Sequence, residues 1–210
     1  MDRRTAISRV ALIMGGAVIG AEFLLSGCRP NGASNVDDLF TAENTTLLNE
    51  IADTILPDTA ASPGAKAANI GPFLAVMVRD CYTTADQKTF IEGIGKINEA
   101  AKSRYGGKFI DLSSQQRTDI FITLDKEQQD YYKQLYKKID ADMLKHKDDP
   151  AYEEPDQPNH YFRMMKELTM LGYFTSEIGA TKALRYIETP GHYDGCMPYK
   201  KGDKAWAVDD

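Results

Sequence analysis

The chain has 210 residues, of which 42% are hydrophobic and 27% are charged, and its formal net charge is −6 at pH 7. This composition is typical of a globular protein and excludes a predominantly disordered chain. The acidic balance also argues against a nucleic-acid partner, because binding to phosphates needs clustered Lys and Arg side chains.

Residues 1–27 predict an export signal that is removed from the mature protein. Arg3 and Arg4 stand close to the initiating Met, and an apolar stretch rich in Gly and Ala follows over 10–25. A positive start, a short apolar core and a small-residue cleavage site are typical of a secretory signal. The paired arginines resemble a twin-arginine export signal. The alternative is an uncut anchor helix, for which the apolar run is short.

Cys28 is the predicted site of lipid attachment. Leu-Ser-Gly precedes it, so that residues 25–28 resemble a bacterial lipobox, in which the cysteine becomes the acylated first residue. The Pro, Gly, Ser and Asn residues after it predict a tether over 28–38, followed by one helical domain over 39–210. We therefore expect a lipoprotein of the cell envelope that faces the periplasm, anchored to the inner or the outer membrane.

Hydrophobic periodicity predicts three helices in the first half of the body. Thr41 is positioned to cap the first helix, and Pro57 stops it. The second has an apolar face from Ile70 to Cys81. A third opens with a capping box at Thr84 and ends at the Gly-Gly pair that begins at Gly106.

The second half of the body predicts four more helices before an irregular tail. They cover 113–124, the stretch from about 126 to a charged, Pro-broken loop at 146–158, then 159–174 and 176–187. No stretch sustains the alternation that is typical of a strand. We therefore expect an all-α fold, an irregular helical bundle with long loops and an extended C-terminal arm.

The sequence contains no recognisable motif for chemistry of its own. It lacks a nucleophile elbow, a P-loop, a dinucleotide fingerprint and a zinc-protease helix. One metal hypothesis combines His160 with Glu153, Glu154 and Asp156. Acidic residues just before a helix also interact favourably with the helix dipole. The preferred interpretation is therefore a solvated acidic loop next to the start of a helix. We expect no catalytic residue, no metal and no cofactor in this chain, and a binding or accessory role.

Cys81 and Cys196 remain once Cys28 is assigned to lipid. Thiols tend to pair in an oxidising compartment. The two could form a disulfide with each other, stay separate with Cys81 buried, or leave Cys196 to bridge another protein. The sequence does not choose between these, because a disulfide requires close Cα atoms.

Two segments are candidates for contact with a partner. Residues 161–174 are dense in Met and aromatic residues, for which core packing is the preferred interpretation and a partner-facing surface the alternative. The tail has little periodicity, and aromatic residues are frequent interface anchors. Its candidate partner-binding residues are Tyr193, Met197, Tyr199 and Trp206. Folding of the tail over its own bundle is an equal alternative.

Four sequence motifs resemble those of one known family. LGYFTSEIG at 171–179 and YIETPGHYDGC at 186–196 resemble the gluconate 2-dehydrogenase subunit 3 family. IADTILP at 51–57 and PGA at 63–65 look like the family's opening helix and the loop after it. The resemblance covers about residues 39–200, which is nearly the whole mature body.

This resemblance implies the small, non-catalytic subunit of a periplasmic flavin-dependent sugar or polyol dehydrogenase. FAD is then expected in the large subunit, with a cytochrome c as a candidate electron acceptor. The small subunit would carry the export signal for both and help the large one to mature, and the lipid on Cys28 would attach the complex to a membrane. The alternatives are a stand-alone lipoprotein that binds a sugar or peptide, and a metal-dependent lipoprotein enzyme that uses His160.

Overall fold

Five α-helices form the framework of the protein in the computed structural model, which describes residues 35–154, 156–189, 191 and 194–207. They are α1 (Ala42–Ile55), α2 (Ile70–Cys81), α3 (Thr84–Tyr105), α4 (Ser114–Lys145) and α5 (Tyr161–Phe174). Short 3-10 turns lie at Val36–Phe40, Ala65–Ala68 and Phe109–Asp111, and a π-helical turn at Gly179–Ala183. The only extended pairings in these residues are isolated bridges. The expected all-α bundle with long loops and a C-terminal arm is confirmed.

The helix α5 is the centre of the bundle, because it packs against each of the other four helices. Its side chains Phe162, Met164 and Met165 are fully buried. Phe121 of α4 packs edge-on against Phe162, with 5.0 Å between the ring centroids. Most of the Met- and aromatic-rich segment therefore forms core, as the preferred interpretation predicts. The side chains of Met170, Leu171 and Phe174 remain at the surface.

Local capping chemistry fixes most of the helix ends as predicted. The Thr41 hydroxyl accepts from the Asn44 N–H at 3.3 Å at the start of α1. Ser113 forms the expected capping box with Gln116 at the start of α4. Gly106 ends α3 with a φ of 77°, a left-handed conformation that glycine adopts without strain. The cap of α3 is Thr83, one residue before the predicted position.

The sequence predicts two helices where the structure has the single helix α4. No Gly or Pro separates the two predicted segments, and Asp125 at the expected break takes part in an ion pair with Lys166 of α5. The buried residues of α4 are Ile120, Phe121, Leu124 and Gln128, all in its first half. The hydrophobic pattern changes because the helix leaves the core, and not because the helix is broken.

The predicted last helix, over 176–187, is wrong in its length. The helical part covers only residues 177–183, including the π-helical turn Gly179–Ala183, and Leu184 is extended. The Arg185 N–H donates to the Ala205 carbonyl at 2.8 Å, and the Ala207 N–H donates to the Arg185 carbonyl at 2.8 Å. These backbone groups pair with the tail and are therefore not available to continue a helix.

The predicted export signal lies outside the described residues, including Arg3, Arg4 and Cys28. Among the helices that the structure describes, none has the length and the hydropathy that crossing a bilayer requires.

Candidate functional site

Two of the motif segments, far apart in the sequence, meet at the end of α5. The hydroxyl of Tyr173 in the LGYFTSEIG motif donates a hydrogen bond to the carbonyl of Pro63 in the PGA loop. The loop in turn closes on the end of α1, where the Ala65 N–H donates to the Leu56 carbonyl at 2.8 Å. Tyr173 thus joins the central helix to the first long loop.

The rest of the LGYFTSEIG motif holds the turn that follows α5. The Ser176 hydroxyl donates to the Tyr173 carbonyl at 2.6 Å and accepts from the Gly179 N–H at 3.1 Å. A Cβ on Gly179 would lie 1.9 Å from the Tyr173 carbonyl oxygen, so the backbone comes closer there than any side chain permits. These motif residues therefore position the exit of the chain from the bundle towards the C-terminal arm.

The C-terminal arm, residues 194–207, is held to the bundle at its far end. Beside the backbone pairing, the Arg185 guanidinium lies 5.5 Å from the ring centroid of Trp206 and forms an ion pair with Asp203 at 3.1 Å. Lys204 donates to the carbonyl of Ala61, in the loop after α1, at 3.3 Å. The end of the arm thus folds back on its own bundle.

The arm nevertheless presents large apolar side chains to solvent. The exposed fractions are 47% for Met197, 77% for Tyr199 and 40% for Trp206, and the neighbouring Tyr186 and Ile187 are about half exposed. Tyr193 lies outside the described residues. Exposed aromatic side chains on a fixed segment are suited to anchor an interface, and the partner-binding role of these residues stays a prediction.

The two cysteines of the described part are free thiols, and both are exposed. The alternative in which Cys81 is buried is therefore wrong, because Cys81 is the last residue of α2 and faces solvent. The Cys81 Sγ lies 4.0 Å from the Met77 Sδ of the same helix. Bridging of Cys196 to another protein stays a prediction.

His160 acts as the N-terminal cap of α5. Its Nδ1 accepts from the Phe162 N–H at 3.3 Å, and its ring stacks on Tyr161 at 4.7 Å. Burial, together with the positive charge of Lys96, lowers the pKa of His160 below its usual range. No three His, Cys, Asp or Glu side chains gather as a metal site in the part of the chain that the structure describes. The metal hypothesis built on His160 finds no support.

A charge cluster around the buried Glu50 is absent from the sequence-based prediction. The Glu50 carboxylate on α1 binds Lys66 and Arg117, and Arg117 also donates to the carbonyls of Phe109 and Ile110 at 3.1 and 2.6 Å. Burial opposes the charged carboxylate, but the hydrogen bonds from Lys66 and Arg117 outweigh it and lower the pKa of Glu50. The cluster ties α1 to α4 and to two turns.

One sequence signal points to this cluster. Glu50 lies between Leu47 and Ile51, which both belong to the apolar face of α1. A charged residue in such a position is close to the core and needs a partner. Its partner Arg117 lies 67 positions away, however, and the sequence alone does not identify it.

The family model described as Gluconate 2-dehydrogenase subunit 3 matches residues 42–191 of this chain. The match begins at the first residue of α1, includes the five helices and extends past the π-helical turn. No curated protein and no solved structure shows a significant match.

Proposed function

The chain belongs to the gluconate 2-dehydrogenase subunit 3 family, and from this membership we propose that it is the non-catalytic small subunit of a membrane-associated, FAD-dependent sugar or polyol dehydrogenase. The large subunit of this complex holds the FAD and carries out the oxidation. This chain supports export, maturation and anchoring of the large subunit, and a cytochrome c accepts the electrons.

The observation that carries this proposal is the extent of the family match. It spans 42–191, more than half of the chain, and includes the whole helical framework. The matched motifs are also consistent with a subunit that binds a partner through its C-terminal arm. Tyr173, Ser176 and Gly179 fix the turn from which the chain leaves the bundle towards this arm.

The C-terminal arm is the proposed contact with the large subunit. The ion pair between Arg185 and Asp203 fixes the end of the arm. Exposed side chains such as Tyr199 therefore lie on a segment that is already ordered before binding. Fixing a segment before binding reduces the entropy lost on association. The free thiol of Cys196 lies on the same arm and offers a covalent link to a cysteine of the partner.

The anchor is proposed to be a lipid on Cys28, which lies outside the described residues. Two or more acyl chains hold a protein stably at a membrane, whereas one chain does not. A Cys28→Ala variant should therefore be exported without its anchor, or remain uncut. Cell fractionation checks this, with Cys196→Ala as the control that should stay with the membranes. If wild type and Cys28→Ala both fractionate as soluble proteins, the lipid anchor is wrong.

Purification of the tagged chain from a detergent extract of its own host tests the proposed function. We expect a flavoprotein to co-purify, with flavin absorbance and sugar- or polyol-oxidising activity in the complex. The chain purified alone should be colourless and inactive. Flavin and activity in the isolated chain, or a membrane extract in which no flavoprotein accompanies it, would contradict the proposal.

A further inference from the structure

An open groove of about 450 Å³ lies between α4 and α5. Its volume is within the range of small-molecule sites, about 300–1,000 Å³. The lining side chains that carry the argument are Gln128, Tyr132, Lys133 and Tyr136 of α4, and Arg163 and Glu167 of α5. None of them belongs to the C-terminal arm or to the family motifs.

The amide of Gln128 is the first sign that this groove is built for a ligand. The residue is only 9% exposed, yet its side chain makes no hydrogen bond to any residue that the structure describes. The amide itself is open to the groove, because Thr169 Oγ1 is the only fully buried side-chain N or O atom without a partner among the described residues. Since Gln128 lines the groove, a molecule in the groove can supply both an acceptor and a donor for this amide.

The aromatic wall of the groove is held in place by Arg163. Its guanidinium lies 4.3 Å from the ring centroid of Tyr132 and donates to the Tyr136 hydroxyl at 3.2 Å. It also donates to the Glu167 carboxylate at 2.6 Å. Tyr136 is half exposed, so that its ring is available to a ligand while its hydroxyl is fixed. A site held by such supporting contacts loses little entropy when it binds.

The charges of the groove nearly cancel. Arg163 pairs with Glu167, and Lys166 pairs with Asp125, which leaves Lys133 as a lining cation without an ion pair to the described residues. A phosphate group would favour several free cations. The groove instead offers an amide, a carboxylate, a guanidinium and a flat ring, which suits hydroxyl groups that both donate and accept.

We propose that this groove binds a small neutral carbohydrate of monosaccharide size. The apolar face of the sugar ring lies against Tyr136, and the sugar hydroxyls bond to the Gln128 amide and to the Arg163–Glu167 pair. The site goes beyond the proposed accessory function, because it requires only this chain.

Saturation-transfer NMR and calorimetry with D-glucose test this site on the full chain, purified alone in a detergent that has no sugar headgroup. We expect saturable binding to the wild type. The affinity should fall at least about tenfold in Tyr136→Ala and in Gln128→Leu, because each loses a direct contact. Leu144→Ala is the control, since Leu144 is an exposed residue of the same helix outside the groove. It should bind D-glucose as the wild type does, and circular dichroism verifies the fold of all variants.

Equal binding by Tyr136→Ala and Leu144→Ala would overturn the site. D-Gluconate that binds at least about tenfold more tightly than D-glucose, with the difference lost in Lys133→Met, would overturn the neutral ligand in favour of a sugar acid. An absence of D-glucose binding, together with loss of the large subunit from Tyr136→Ala, would show that the groove is a protein interface. The sugar-binding measurements use the isolated chain, so their failure leaves the co-purification result unaffected.

Discussion

Glu50 is the residue at which electrostatics has the largest effect on this fold. Its side chain is 11% exposed, and its carboxylate is bound by Lys66 and Arg117. Removing one member of such a buried cluster leaves the opposite charge in the interior without a partner, and this costs more than the net contribution of the pair. The cluster should therefore respond both to mutation and to pH.

A Glu50→Gln variant should be less stable than the wild type by about 2–3 kcal/mol at neutral pH, because Arg117 loses its charged partner. The pKa of Glu50 is lower in the folded protein than its ordinary 4.5. Its stabilisation is therefore complete above that value and is lost as the pH falls through the lower folded pKa. The difference between the two proteins should be constant well above pH 4.5 and should shrink as the pH falls below it.

Urea denaturation across this pH range measures the difference. Burial raises the pKa of Asp53, so this residue makes the folded protein less stable as the pH rises. Asp53 is present in both proteins, however. Glu92→Gln is the control, because the Glu92 side chain is 54% exposed and, among the described residues, forms an ion pair only with the exposed Lys88. A constant difference between wild type and Glu50→Gln at every pH would contradict the pKa direction.

Gly172 and Gly95 allow the same substitution to be compared in opposite surroundings. A Cβ on Gly172 would lie 2.5 Å from the Cδ1 of the Phe73 ring, whereas a Cβ on Gly95 meets open space. Gly172→Ala should cost about 1–3 kcal/mol through overpacking against α2. Gly95→Ala should gain about 0.5–1 kcal/mol, because alanine favours a helix interior. Thermal unfolding should show shifts of opposite sign, and shifts in the same direction would contradict the close packing at Gly172.

The 32-residue helix α4 is the element that departs most from its prediction. Its second half leaves the core and is supported by the loop that follows it. The Tyr131 hydroxyl donates to the Pro158 carbonyl at 2.8 Å, and the ring of His146 stacks on that of Tyr152 at 4.1 Å. Tyr152 also donates to the Asp142 carboxylate, a hydrogen bond that raises the pKa of Tyr152 to about 12.

Hydrogen exchange should divide α4 into two zones of unequal protection. Amides from Arg117 to Gln128 should exchange slowly because they are hydrogen-bonded and this half packs on the core, and those from Lys133 to Lys145 should exchange faster because few of their side chains are buried. Mass spectrometry of peptic fragments measures both zones. A rapidly exchanging segment at 124–126 between two protected ones would indicate two helices and contradict a continuous α4.

The whole molecule combines a bundle with an arm that adds little to the core. The buried apolar core runs from Leu39 to Tyr173, and 194–207 contributes exposed or half-buried residues. The bundle should therefore fold without the arm. The proposed interface with the large subunit should not form once the arm is removed.

Truncation after Pro190 separates folding from docking. The shortened protein should keep its helical circular dichroism, because the core remains, and it should lose the large subunit in a pull-down. The control is a protein truncated after Ala207, which keeps the whole arm and should retain the large subunit. If truncation after Pro190 leaves the affinity for the large subunit unchanged, the arm is not the docking element.

The sequence by itself determined the features that depend on neighbouring residues. The caps at Thr41 and Ser113 and the end of α3 at Gly106 follow from hydrogen bonds and backbone angles within a few positions. The all-α class follows from the spacing of apolar residues, and the motifs at 171–179 and 186–196 identify the family that the model match confirms.

Only the tertiary structure decided the features that depend on distant partners. Glu50 needs Arg117, Tyr173 needs Pro63, and the helix predicted over 176–187 gives way to backbone pairing of Arg185 with the tail. The groove beside Gln128 likewise exists only where α4 and α5 lie together. Such contacts join residues between 20 and 110 positions apart, and their energies depend on a spatial arrangement that local patterns do not encode.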